Sequence, residues 1–345
     1  MSQTLQAAQP LRIGVLGCAA IAARRTIPAI MSHPRTVLTA VASRDAEKAK
    51  GFAERFGGVA ATSYEELLER ADVDAVYVPL PTSLHLPWGL AALRAGKHVL
   101  LEKPAATSAE EARQLVAEAT ERGLVLRENF TFLHHSQHRA VRELIDAGRL
   151  GALRTFSGAF CFPPLPAGDI RYSPDLGGGA LLDAGVYPIR AAQLLIGRTL
   201  RVAGATLRMD PLTGVDVAGQ AVFADANGVL ADVQFGFAHT YGARYTVWGS
   251  TGRLHLDRAF TPPATWQPTL RIEGQDHVEE RTLGADHQFE NSVASFAEAA
   301  LDGRGAGNGG EADPGEADPG EAEHHADMVH MMELLDEIRR VAVRV

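Results

Sequence analysis

Cysteine is nearly missing from this chain: two residues, Cys18 and Cys161, stand in 345 positions. That excludes a disulfide framework and a cysteine-based metal site, and it fits a reduced cytoplasmic compartment. Long apolar runs are missing too. None approaches the roughly 20 residues of a membrane span, and the polar opening MSQTLQAAQ does not read as a signal peptide. Excess positive charge is also absent. A formal net charge of −9 argues against non-specific binding to nucleic acid or to an anionic membrane. The acidity is not spread evenly, because Glu311, Asp313, Glu316, Asp318, Glu321 and Glu323 fall in one stretch. The remainder carries roughly −3, so no acidic binding face follows from the total.

What is present is ordinary globular material, 46% hydrophobic and 22% charged, in a chain long enough for two domains. In the first half, β-rich runs alternate with helical periods. Strands are expected at Leu11–Leu16, Val37–Ala42, Ala75–Val78, His98–Leu101 and Val125–Arg127. Between them, helices are expected from Asp45 to Phe56, from Trp88 to Ala95, and from a Ser108/Glu111 capping box to Arg122. Such alternation implies a parallel, doubly wound Rossmann-type sheet with right-handed crossovers.

After a helix around His138–Ala147 the pattern changes. Six strand-like runs follow, Arg154–Phe162, Arg201–Arg208, Val217–Phe223, Val229–Phe237, Arg244–Trp248 and Gly252–Leu256, with Asn227-Gly228 marking one turn. They predict a mainly antiparallel open sheet in an α+β domain, packed against a helix over Leu181–Leu195. Two more helices are expected at Phe289–Leu301 and Asp327–Val343. The domains expected are therefore 1–129 and 130–345. Within the second, 302–325 is expected to be a flexible acidic insertion, centred on the tandem GEADP of Gly310–Glu323.

The segment IGVLGCAAIA lies where a dinucleotide fingerprint belongs, closing the first strand and opening a helix. Gly17 supplies the turn, and Cys18, Ala19, Ala20 and Ile21 offer backbone N–H groups to a pyrophosphate at the helix N-terminus. Ala19 stands where the pattern wants glycine, so an ordinary strand–helix turn is the competing reading. The second strand ends Val41-Ala42-Ser43-Arg44, with no acid for a ribose hydroxyl. Ser43 and Arg44 suit a 2′-phosphate, which favours NADP(H) over NAD, while Asp45 is expected to cap the next helix.

Three further segments converge: Leu80-Pro81-Thr82-Ser83-Leu84-His85, Glu102-Lys103-Pro104, and Gly177-Gly178-Gly179 through Asp183 to Tyr187. The first two leave strands at the carboxyl edge of the sheet, where ligands bind. With the fingerprint, they resemble the glucose–fructose oxidoreductase / inositol dehydrogenase (Gfo/Idh/MocA) family over nearly the whole chain. GCAAIAARRTIPAI, VPLPTSLH and FPPLPAGDIRYSPDLGGGALLDAGVYPIR are similar to its NDP-hexose 3-ketoreductases, enzymes of deoxysugar and antibiotic biosynthesis. Many family members carry His at the Tyr187 position and Asp at that of Arg190, which separates this chain from that branch.

The resemblance implies an oxidoreductase that reduces the 3-keto group of a dTDP-linked keto-deoxyhexose with NADPH. It implies Lys103 and Tyr187 as catalytic residues, with the lysine charge lowering the phenol pKa. It also places Leu80, Pro81, His85, Glu102, Lys103, Arg171 and Asp183 around the cofactor. Bland readings stand beside these: a solvated loop for Lys103, a core position for Tyr187, a helix cap for His85, loop closure for Arg171. Two other functions remain open, another NAD(P)-dependent sugar or dihydrodiol dehydrogenase and a non-catalytic NADP sensor. His134 and His135 are adjacent, point apart and have no third ligand, so no metal is expected. A cytoplasmic homo-oligomer, dimer or tetramer, is expected.

Overall fold

The computed structural model describes residues 9–305 and 319–345. Its first half runs β1 (Leu11–Leu16), α1 (Ile27–Ser32, entered through a π-helical turn at Ala22–Thr26), β2 (Thr36–Ala42), α2 (Ala46–Phe56), β3 (Val59–Ala61) and α3 (Tyr64–Glu69). It continues with β4 (Ala75–Val78), α4 (His85–Arg94), β5 (His98–Leu101), α5 (Ala109–Glu121) and β6 (Leu126–Glu128). The six strands form one parallel sheet in the order β3-β2-β1-β4-β5-β6. Strand order reverses between β1 and β4, so the ligand crevice of an open sheet lies at their carboxyl ends. AVYV and HVLL are buried throughout because β4 and β5 are covered on both faces.

Local capping sets the helix starts. Asp45 caps α2 by accepting from the Lys48 N–H at 3.2 Å, and Ser108 caps α5 by accepting from Glu111 N at 3.3 Å. The return half of that second cap departs from expectation. The Glu111 carboxylate reaches the Thr107 N–H and hydroxyl at 2.8 and 2.6 Å instead of Ser108.

The second half holds α6 (Ser136–Asp146), β7 (Leu153–Cys161), α7 (Val186–Ile196, preceded by a π-helical turn at Leu181–Gly185), β8 (Arg201–Met209), β9 (Asp216–Ala224) and β10 (Leu230–Gly236). It goes on through β11 (Gly242–Gly249), β12 (Arg253–Asp257), β13 (Thr269–Glu273), β14 (Val278–Thr282), α8 (Gln288–Gly305), α9 (Pro319–Val341) and β15 (Val343–Arg344). Nine strands pair as β14-β13-β12-β11-β7-β10-β9-β8-β15. Only β7–β10 and β8–β15 are parallel. Helix α7 packs on β7 and β10, and α9 on β8. The opposite sheet face leaves Val222, Leu230 and Trp248 about half exposed.

Two helices join the halves. Helix α8 lays Val293, Phe296, Ala297 and Ala300 against the cluster of Leu11, Ile13, Ile27 and Ile30 under the first sheet. Helix α9 packs on both α5 and β8. Its start corrects the expected acidic insertion at both ends. Residues 302–305 continue α8, and Pro319–Glu323 are the first turn of α9, where Glu321 is buried in an ion pair with Arg127 of β6. A buried cation on a packed sheet recruits one of the acids that composition alone assigns to solvent. The middle of the expected insertion, residues 306–318, which holds the GEADP repeat up to its last proline, lies outside the described residues. Among the described residues no helix is long and apolar enough to cross a membrane.

Candidate active site

A cleft of about 680 Å³ opens where the β1 and β4 ends face the second sheet. On its first-sheet side Gly17 leaves β1 at φ +124°, its N–H donating to the Ala42 carbonyl at 2.9 Å. A Cβ at Gly17 would come within 2.8 Å of the Leu80 side chain, so sterics and backbone both call for glycine. Ala19, Ala20 and Ile21 then line the cleft at the helix entry, where the first N–H groups have no intrahelical acceptor. Cys18 is half-buried and its thiol is pushed up by burial, with a hydrogen bond to Ser43 pulling the other way. Ser43 is itself buried and accepts from the Asp45 N–H at 3.2 Å, so its hydroxyl is engaged within the turn. Arg44 is exposed beside Tyr64.

Leu80, Pro81, Glu102 and Lys103 also line the cleft. The Glu102 carboxylate is held by the Tyr77 hydroxyl at 2.6 Å, the Asn129 amide at 2.8 Å and the Lys103 N–H at 3.3 Å. His85 sits beneath the wall. Its ring is buried, with Nδ1 2.8 Å from the Pro104 carbonyl and Nε2 2.8 Å from that of Leu80. It fastens two cleft loops together.

Across the cleft, Lys103 Nζ donates to Asp183 at both the backbone carbonyl (2.9 Å) and Oδ1 (3.0 Å). Burial works against the lysine charge, but Asp183 and Tyr187 outweigh it and raise its pKa. The other Asp183 oxygen accepts from Arg171 Nε at 2.6 Å, and Arg171 also pairs with Asp169 at 3.1 Å. Asp183 is thus a carboxylate clamped between two cations, kept ionised by them despite burial. Lys103 has three donors and spends two on Asp183, which leaves one for the cleft.

Tyr187 lies on α7 inside a cage of Phe130, Phe132, Phe160 and Phe260, with ring centroids 4.8–5.9 Å away. Lys103 Nζ stands 4.9 Å from the Tyr187 ring centre. The hydroxyl has no hydrogen-bond partner among the described residues, and the residue lines the cleft. Its pKa corrects the expected lowering. Burial pushes the phenol up and the Lys103 charge only partly draws it back, so it stays protonated at neutral pH.

The triple glycine answers to packing. A Cβ on Gly178 would stand 2.5 Å from the Arg171 carbonyl, and one on Gly179, at φ +112°, would collide with the Asp216 carboxylate. Asp216 is a partner that sequence reasoning missed. It accepts from Leu181 N at 2.6 Å and anchors the turn that carries Asp183. Also missed were Asn129, Thr131, Phe160, Phe162 and Thr261 of the cleft wall. Asn129 follows β6 at the ligand-binding edge, a signal that was available; Thr261 offered none.

Residues 11–130 match the family described as oxidoreductase family, NAD-binding Rossmann fold, and residues 138–255 match the GFO/IDH/MocA C-terminal domain. Two curated relatives carry the name dTDP-3,4-didehydro-2,6-dideoxy-alpha-D-glucose 3-reductase. One, from Actinomadura kijaniata, is 54% identical over 86% of this chain and 89% of its own. The other, from Streptomyces violaceoruber, is 52% identical over 96% of this chain and 95% of its own. The crystal structure of a 3-ketoreductase from Actinomadura kijaniata in complex with NADP and TDP-benzene superposes with a TM-score of 0.91. It is 49% identical, with 98% of this chain and 99% of that one covered.

Proposed function

The chain belongs to the Gfo/Idh/MocA oxidoreductase family, and from that premise we infer that it reduces the C3 keto group of a dTDP-linked keto-deoxyhexose with NADPH. The observation that carries the reading is one protonated phenol, Tyr187, in a cleft beside a lysine whose charge is fixed by Asp183. The relatives at 54% and 52% identity supply the substrate class.

The cleft fits a dinucleotide: a glycine turn into a helix at Gly17–Ile21, and a β2 end with Arg44 and no ribose-binding acid. When bound there, NADPH supplies a hydride to the carbonyl carbon. The chain's residues manage the proton. Tyr187 would donate its phenolic proton to the C3 oxygen as that oxygen gains charge, forming the alcohol O–H bond as the phenol O–H bond breaks. The free N–H of Lys103 points charge at the same oxygen, and its ammonium stabilises the phenolate left behind. Asp183 is a positioning residue, and Arg171 fixes Asp183. The aromatic cage excludes water from the phenol.

Ser43, His85, Glu102 and Arg171 act on the cofactor bed by holding its loops. The open sheet face that exposes Val222, Leu230 and Trp248 among polar neighbours is the surface for homo-oligomer formation.

The test is NADPH oxidation followed optically with a dTDP-linked 3-keto-deoxyhexose and, separately, with free sugars. Turnover on the dTDP sugar is expected. Turnover on free sugars alone would replace this reading with a free-sugar dehydrogenase.

A further inference from the structure

Behind the aromatic cage of Tyr187 stands a buried polar strut that the mechanism does not use. It begins in the first turn of α6, where Gln137 and His138 are both buried. His138 Nε2 lies 2.9 Å from the Ala259 carbonyl, and Nδ1 lies 2.9 Å from the Tyr245 hydroxyl of β11. A carbonyl can only accept, so Nε2 carries the ring proton and Nδ1 accepts from the tyrosine. Burial pushes the imidazole pKa down to about 3, so this uncharged tautomer holds at neutral pH. Gln137 Nε2 donates to the same carbonyl, also at 2.9 Å.

Two donors on one carbonyl pin a segment whose backbone is strained. Arg258, just before Ala259, is the one non-glycine residue with positive φ, +48°, among the described residues. Such a conformation persists where its surroundings over-determine it. Ala259 also donates its N–H to the Ala243 carbonyl at 2.8 Å, so it is tied on both sides. The residues that follow belong to the site. The buried Phe260 ring stands 5.8 Å from that of Tyr187, and Thr261 lines the cleft. His138 reaches the cage by a second route, because its ring lies edge-on to Phe132 at 5.1 Å, and Phe132 is 5.9 Å from Tyr187.

We propose that His138 and Gln137 are positioning residues of the reduction: by clamping the Ala259 carbonyl they hold Phe260 against Tyr187, so that the phenol stays dry and aimed into the cleft. Neither residue lines the cleft, and both act through the cage. The proposal rests on Tyr187 as the proton donor. A strut of neutral groups suits the task, because it adds no charge that would compete with Lys103 for the phenol. Reacting groups tolerate little displacement: a shift of about 1 Å costs on the order of 10²-fold in rate.

Steady-state kinetics of the full-length protein with NADPH and the dTDP-linked keto sugar test it, beside an ultraviolet titration of the phenol. His138→Leu should lower kcat about 10- to 100-fold, with KM and NADPH affinity within about threefold of the parent. Burial holds the phenol pKa up, so water admitted to the cage should bring it down. The phenolate absorbance that Tyr187→Phe abolishes should then appear at lower pH. The charged groups facing Tyr187 are Lys103, Asp183, Glu102 and Arg171, and His138 bonds to none of them, so this shift reports the cage. His138→Gln, whose amide can still donate to Ala259, should restore kcat to within about threefold of the parent. If His138→Leu is not recovered folded, Gln137→Met decides in its place, with kcat down about 3- to 10-fold and the same phenolate shift. A folded variant with parental kcat or an unmoved phenolate onset, or a His138→Gln no faster than His138→Leu, would overturn the proposal and leave the strut a packing element. Should Tyr187→Phe itself turn over at the parental rate, the proton-donor reading fails first, and this proposal with it.

Discussion

The two walls of the cleft are built differently. The first-sheet wall is made of turns, Ala19 to Ile21 and Leu80-Pro81, with Ser43-Arg44 following β2 of the same sheet, each a short segment leaving a strand of one parallel sheet. Its groups are positioned by neighbours a few residues away. The opposite wall is made of side chains placed by long stretches of chain, Asp183 reaching Lys103 of the first wall at 80 residues' separation and Tyr187 set inside rings drawn from β7 and from the segments after β6 and β12. The lesson is one of fragility. A turn survives the loss of a neighbouring side chain, whereas a clamp of two cations on one carboxylate fails when any member goes.

Four variants sharpen or break that contrast. The largest effect is expected from Tyr187→Phe: turnover should fall about 10²–10⁴-fold, the usual worth of a proton donor, with NADPH affinity retained in a fluorescence titration. Unchanged turnover would place the proton source elsewhere. Asp183→Asn should cut kcat about 10- to 100-fold and move the alkaline limb of the pH–rate profile to lower pH, because Asp183 holds the Lys103 pKa up. A profile that stays in place would mean the lysine charge is set by other groups.

On the turn-built wall, Arg44→Ala should weaken NADPH about tenfold and leave NADH nearly unaffected. Equal losses for both would show that this wall does not select the 2′-phosphate through its own turn. The smallest effect lies at the seam. Glu128 at the end of β6 accepts from the Ala105 N–H at 2.7 Å, and burial pushes its pKa up to about 7. The folded state then binds a proton that the unfolded chain releases near 4.5, so this contribution to stability is present at low pH and declines as pH rises to about 7. Glu128→Gln should accordingly stabilise the protein by about 1–2 kcal/mol at pH 8 and hardly at all at pH 4.5, read by denaturant unfolding.

The same contrast decides what the sequence makes legible. The strands β1, β2, β4 and β5 stand out because apolar runs between turn residues need no tertiary information. Strand β3 escapes because three small residues, Val59–Ala61, carry no period. Strands β13 and β14 escape because TLRIE and VEERT are charged on their solvent faces, as suits the edge of an open sheet. The GGG and EKP segments can be found in one dimension. Their reasons, the Asp216 carboxylate that Gly179 must clear and the Asp183 oxygens that take up Lys103 and Arg171, exist only once distant strands have met. The upward shift of Tyr187 belongs with them, since burial is a property of the assembled cage.

Helix α8 has a consequence for how the molecule is made. The apolar face of β1 and α1 is roofed by Phe296 and Ala300, which leave the ribosome almost 300 residues later. Until then the newborn sheet presents an unroofed patch to the cell, so residues 1–129 released alone should be prone to clump, and a nascent chain should depend on a chaperone until its last helices arrive.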